Sequence, residues 1–332
     1  VKHHWLERPE GGSALGYRLI SSFALLCGRT AARIVLFPIT AFFLLRRGPE
    51  RRAAREYLAL VLGRKPTWRD VAKQFYYFAA VILDRVFLLS ESFKRFQIEV
   101  HGLDEMRAQW AKKRGVLIFG SHLGSFDSLR VLADIRKDVT VRVVLDTEQN
   151  PELTRVLNTL NPELARSIIN ARQDGTVTAL AIKDALDEAA LVTMLVDRAR
   201  PGNQLTVVDF LGKPAALPTS PWQLAAALKV PVMLCFGLYR GGNRYELFFE
   251  LFAEELRVER SNREASLNAI VQRYADRLAH YTRSAPYNWF NFYDFWHLEP
   301  PPPDRPAGQG VAAADAQPDA RRAAGAAGRQ PE

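Results

Sequence analysis

Apolar and polar positions alternate along the middle of this chain in a way that predicts strands and helices in turn. Short apolar runs read as strands near Phe96–His101, Val116–Phe119, Val139–Leu145, Ser167–Asn170, Leu191–Val196, Val232–Tyr239 and Tyr245–Leu251. Between them, stretches with helical periodicity fall at Val71–Leu89, Asp104–Lys113, Phe126–Ile135, Glu152–Leu160, Thr176–Ala189, Trp222–Leu228 and Ser266–Thr282. A long loop is expected after Val196, and the "RGGNR" stretch at 240–244 reads as a hairpin turn. The pattern predicts an α/β fold with a mixed, largely parallel sheet covered by helices. In such sheets ligands sit outside the carboxyl ends of strands, where Ser121–Asp127 and Asp197–Arg200 both fall.

The two ends differ from this middle. Leu19–Gly28 and Ile34–Leu45 are apolar, but Arg29 and Arg33 separate them and Pro38 interrupts the second, so neither reaches the ~20 residues of a bilayer span. Arg18, Ser22, Arg29 and Arg33 share one helical face, and Arg46, Arg47, Arg51, Arg52 and Arg55 follow. This predicts a membrane-interfacial helical segment over residues 1–60, with its basic cluster on anionic lipid at the cytoplasmic side. An amphipathic helix packed on its own domain would give the same pattern. No cleavage site follows a short apolar core, so a removed signal peptide is not expected. Residues 61–298 form the expected catalytic domain. Residues 299–332 are rich in Pro and Ala, with Val311 as their one large aliphatic, and read as a disordered tail.

A net charge of +9 favours anionic partners: lipid head groups, an acidic carrier protein or nucleic acid. Nucleic acid is set aside because the basic residues border apolar segments and not an aromatic groove. Cys27 and Cys235 sit far apart in apolar runs, which predicts buried thiols in a reducing compartment and neither a disulfide nor a metal site.

The candidate chemistry lies in "GVLIFGSHLGSFD", residues 115–127. With 6 His and 36 acidic residues, roughly 0.65 chance matches of H-x4-[D/E] are expected, so the spacing alone carries little. Position gives it value: His122 stands where an apolar strand ends, on a loop made tight by Gly120 and Gly124. That bend can bring Asp127 onto one imidazole nitrogen and leave the other to remove a proton. Backbone N–H groups at the start of the next helix could then hold an oxyanion. A polar corner with Asp127 as a capping carboxylate is the plainer alternative.

At "GSHLGSFDSLR" the chain resembles the bacterial lipid A biosynthesis (lauroyl and myristoyl) acyltransferase family within the glycerol-phosphate acyltransferase-like superfamily. Asn150–Pro151, "MLVDR" with Asp197, and "DFLGKPAALPTSPWQLAAALKVPVM" keep that family's order. Asp146, "PTSP" at 218–221 and the aromatic "PYNWFNFYDFW" at 286–296 differ from its usual residues and mark a divergent branch. The resemblance implies transfer of a fatty acyl group from acyl carrier protein, or acyl-CoA, to a hydroxyl of a lipid or glycolipid at the cytoplasmic face of the bacterial inner membrane. His122 would be the general base and Asp127 its partner. Gly124, Ser125, Asp197, Arg198, Arg200 and Pro218 would bind substrate, with no metal, no cofactor and no covalent acyl-enzyme. Arg198 and Arg200 would hold a phosphate or the carrier's phosphopantetheine, or else lie on a solvated loop. A monomer is expected. A lipid-binding scaffold that keeps the fold without catalysis is the alternative. The aromatic 286–296 segment reads as a lipid-contacting lid, with Asn288, Asn291 and Asp294 on a polar edge, or as a segment docked on the core.

Overall fold

Thr67 and Asp70 begin the helix that organises the molecule. The Thr67 hydroxyl accepts from the Asp70 amide at 3.3 Å, and the Thr67 amide donates to the Asp70 carboxylate at 2.7 Å. This reciprocal cap satisfies donors that a helix start leaves open. The computed structural model describes residues 14–89, 94–130, 140–147, 165–199 and 202–296. Its helices are α1 Ala14–Arg46, α2 Gly48–Leu62, α3 Trp68–Leu88, α4 Leu103–Ala111, α5 Gly175–Asp187, α6 Ser220–Leu228 and α7 Arg263–Ser284. Its strands are β1 Gln97–His101, β2 Val116–Gly120, β3 Val141–Leu145, β4 Ile168–Asn170, β5 Leu191–Leu195, β6 Leu205–Phe210, β7 Lys213–Pro218, β8 Val232–Gly241 and β9 Arg244–Ala253.

Seven strands form one sheet in the order β1-β9-β8-β2-β5-β3-β4. Neighbours run parallel except β8 and β9, the hairpin across Gly242 and Asn243. Every residue of β2 is buried, as expected of a central strand covered on both faces. The expected mixed, largely parallel α/β fold is the one observed. The helix expected at 152–160 and the tail at 299–332 lie outside the described residues.

Three local expectations change. The loop after Val196 contains a second, two-stranded sheet, β6 paired antiparallel with β7. Its turn is Leu211–Gly212, both left-handed at φ 58° and 82°, the geometry that matches strand twist in a two-residue hairpin. Val208 and Phe210 point inward while Val207 and Asp209 stay exposed. Phe126–Arg130 forms a 3-10 turn where an α-helix over 126–135 was expected, and 131–139 lie outside the described residues. Cys27 is exposed, whereas Cys235 is buried.

The N-terminal arginines turn inward. Gly28, at φ 84° and ψ 165°, kinks α1, and helix continues through Pro38. Arg29 meets the fully buried Asp84 of α3 through Nε at 2.7 Å, and Arg33 meets it at 2.8 Å. The Tyr245 hydroxyl donates to the same carboxylate at 2.8 Å. Phe37 stacks on Tyr76 further along, so α1 runs antiparallel along α3. Arg29 and Arg33 therefore dock the helix on its own domain and do not face head groups, while Arg18 falls outside the described side chains. The outward face of α1 carries Leu26, Ile34 and Leu45. Ser22–Arg46, with mean hydropathy 1.4, is the one helix among the described residues long and apolar enough to cross a membrane. Of the basic cluster, Arg46, Arg52 and Arg55 are exposed, and Arg51 donates to the Leu44 and Leu45 carbonyls at the end of α1.

Candidate active site

Parallel register alone brings a histidine to an aspartate. Gly120 of β2 is paired with Leu195 of β5, and the Val196 amide donates to the Gly120 carbonyl at 3.1 Å. His122 and Asp197 each stand two residues beyond those partners, level at the carboxyl ends of adjacent strands. The His122 amide donates to Asp197 Oδ2 at 3.0 Å, and Nδ1 lies 2.7 Å from Asp197 Oδ1. The imidazole is 29% exposed and the carboxylate fully buried.

The loop that carries His122 is held by close backbone approach. Gly124, at φ 69°, lies against Gly237 of β8 so tightly that a Cβ would stand 1.9 Å from the Gly237 carbonyl. The Ser125 amide donates to that carbonyl at 2.7 Å, and the Gly124 amide donates to the Asn288 carbonyl at 2.8 Å. Gly124 thus performs the bend expected of it. The amides of His122, Gly124 and Ser125 are all committed to these contacts.

Asp197 is gathered from several directions. Trp289 Nε1 donates to Oδ2 at 3.2 Å and Asn291 Nδ2 at 3.4 Å. Burial alone would raise this carboxyl. The neighbouring imidazole, its hydrogen bonds and Arg198 reverse that and bring it down to about 2. Burial and the charge of Arg198 hold the His122 imidazole below its ordinary value, with Asp197 pulling the other way and Arg85 adding to the depression. That depression favours the neutral imidazole. Asp197 as a carboxylate accepts from protonated Nδ1, and Nε2 keeps its lone pair.

A model of the bacterial lipid A biosynthesis acyltransferase family matches residues 15–297. The chain belongs to that family. No curated protein matches it. Membership in this family of acyltransferases supports an acyltransferase function in general terms.

The second residue of the H-x4-D spacing is not where the sequence put it. Asp127 Oδ2 accepts from Arg85 Nε of α3 at 2.7 Å, and no hydrogen bond joins it to His122. On the 3-10 turn the carboxylate faces α3, so Asp127 anchors the loop and Asp197 orients the imidazole. Asp197, expected as a substrate ligand, is sealed behind His122. Arg198 donates from Nε to Asn291 Oδ1 at 2.7 Å and from Nη2 to the Phe290 carbonyl at 2.9 Å, so it braces the C-terminal segment. Ser125 is buried, and its carbonyl accepts from the Ser128 hydroxyl at 2.6 Å. Pro218 ends β7 opposite Leu205, apart from the hydrogen bonds around His122. Arg200 and Asn150–Pro151 lie outside the described residues. Among the described residues, no cluster of three His, Cys, Asp or Glu side chains is placed to hold a metal.

The 286–296 segment docks on the core. Leu123 and Trp289 form an antiparallel bridge, and the Phe290 amide donates to the His122 carbonyl at 2.9 Å. Asn288 and Asn291 are buried, not on an outward polar edge, and Asp294 alone of the three is exposed. Asn288 exchanges hydrogen bonds with the Tyr239 backbone at 2.7 and 3.1 Å. Trp289, Asn291 and Arg85 are the site residues that sequence reasoning missed. The recurrence of Asn among aromatics was the signal for the two in the 286–296 segment, since a buried amide must find polar partners.

Proposed function

We propose that this protein moves a fatty acyl group from a thioester donor, acyl carrier protein or acyl-CoA, to a hydroxyl of a lipid or glycolipid, as a membrane-associated enzyme at the cytoplasmic face of the bacterial inner membrane. The observation that carries this reading is the Nδ1–Asp197 contact of 2.7 Å on a part-exposed imidazole. Nε2 removes the acceptor's hydroxyl proton as its oxygen attacks the thioester carbonyl. The C–O bond forms, the tetrahedral intermediate collapses, and the C–S bond breaks. The departing thiolate takes the proton back from the imidazolium. A thioester is already activated, so base catalysis worth about 10²–10⁴ and positioning are adequate chemistry.

The apolar outer face of α1, with exposed Arg46 at its end and exposed Arg52 and Arg55 on α2, supports attachment to an anionic membrane. A net charge of +9 supports an acidic carrier as donor. The test is mass spectrometry of lipids from cells that express the wild type, the His122→Ala variant or neither. A lipid species gaining one acyl chain only with the wild type is expected. Identical lipid profiles in all three would overturn the proposal.

A further inference from the structure

We propose that Trp289 and Gln74 are positioning residues that carry the placement of the N-terminal helices into the Asp197–His122 pair. The inference rests on the reading of His122 as the base, and deepens it. Gln74 of α3 is fully buried, and its Nε2 donates to the Trp289 carbonyl at 2.7 Å. Tyr57 of α2 packs on the Trp289 ring at 4.9 Å. The indole N–H then donates to Asp197 Oδ2, and Asp197 Oδ1 meets His122 Nδ1. A continuous chain of contacts thus joins α3 to the imidazole.

The helix grips the same loop twice. Through Trp289 it reaches Leu123, which bridges that residue, and through Arg85 it reaches Asp127 at the far end of the loop. Gln74 and Arg85 stand about three turns apart on α3, on one face. Since α1 is locked to α3 at Asp84, the apolar outer helix and the base belong to one packed unit. Removing the indole N–H takes a donor from a buried carboxylate, which then holds an imidazolium more strongly.

The groups that bear on this pair come from every neighbouring element. Arg85, paired with Asp127, projects from α3, and Arg198 follows β5. Tyr274 of α7 and Tyr293 of the C-terminal segment act on Asp197, and burial raises both phenols so that neither ionises in the imidazole range.

Titration of the full chain, labelled with ¹⁵N-histidine in detergent micelles, tests the proposal, with the His122 signals assigned by their loss in His122→Ala. The wild type is expected to show a neutral imidazole protonated at Nδ1. Trp289→Phe is expected to raise the titration midpoint by roughly half to one pH unit. Gln74→Leu is expected to shift it in the same direction by less. Phe295→Leu, which removes a ring packed on Trp289 at 4.8 Å but no donor, is expected to lower the unfolding temperature and leave the midpoint alone. A folded Trp289→Phe protein that titrates like the wild type would overturn the proposal. An unchanged midpoint in Gln74→Leu would overturn the part assigned to α3, and decides the matter if Trp289→Phe does not fold. The titration needs neither donor nor acceptor, so absence of acyl transfer would defeat the proposed function and leave this test standing.

Discussion

Two fully buried carboxylates, Asp84 and Asp197, sit in the same domain and are used in opposite ways. Asp84 is closed off by two guanidinium groups and a phenol, from Arg29, Arg33 and Tyr245. Its partners carry fixed charge, and the cluster is a latch between α1 and α3. Asp197 is held by neutral donors, the Trp289 indole and the Asn291 amide, and by an imidazole that is part-exposed. Guanidinium partners are permanent cations that neither give nor take a proton. A carboxylate that depends on a titratable partner leaves that partner chemically available. The difference teaches that burial and ion pairing alone do not mark a working site; the identity of the partner does.

Substitutions at the two carboxylate centres separate them. His122→Ala is expected to lower acyl transfer by about 10²–10⁴-fold with the fold intact, read by turnover and by circular dichroism. Asp84→Asn leaves two part-buried guanidinium groups without their carboxylate. It is expected to cost about 3–5 kcal/mol in denaturant unfolding while the surviving folded protein keeps the wild-type pH profile. A changed profile would mean that the latch bears on chemistry directly. Asp127→Asn touches the loop's anchor and not the imidazole's own hydrogen bond, so its loss in turnover is expected to be smaller than that of Asp197→Asn in a parallel assay. The smallest effect is in pH dependence. Burial and Arg198 depress the His122 value, so the neutral base persists as pH falls, and the acid limb of the rate is expected below about 6.5. A limb well above that value would show that Asp197 outweighs burial.

Much of the fold was legible because strand and helix periods differ, and all seven strands of the main sheet follow apolar runs of the chain. The hairpin at 205–218 was missed because its turn, Leu211–Gly212, lacks the usual Asn-Gly or Asp-Gly signal. At the site, His122 and Asp197 were both placed at strand ends, yet the histidine was paired with Asp127. Spacing along the chain is visible in a sequence, whereas register between β2 and β5 is not. Trp289 and Asn291 reach Asp197 only through a segment whose aromatic pattern suits a lid and a core strap equally. The arginines of α1 were read toward lipid because Asp84, their partner, lies on a different helix.

The central claim is that Asp197 steadies His122 as a proton acceptor. It is tested most directly by the rate of acyl transfer from a thioester donor with Asp197→Asn beside the wild type. A fall of about 10²-fold or more in a folded protein is predicted, since an amide cannot hold the same tautomer as a charged acceptor. Turnover close to that of the wild type would contradict the account.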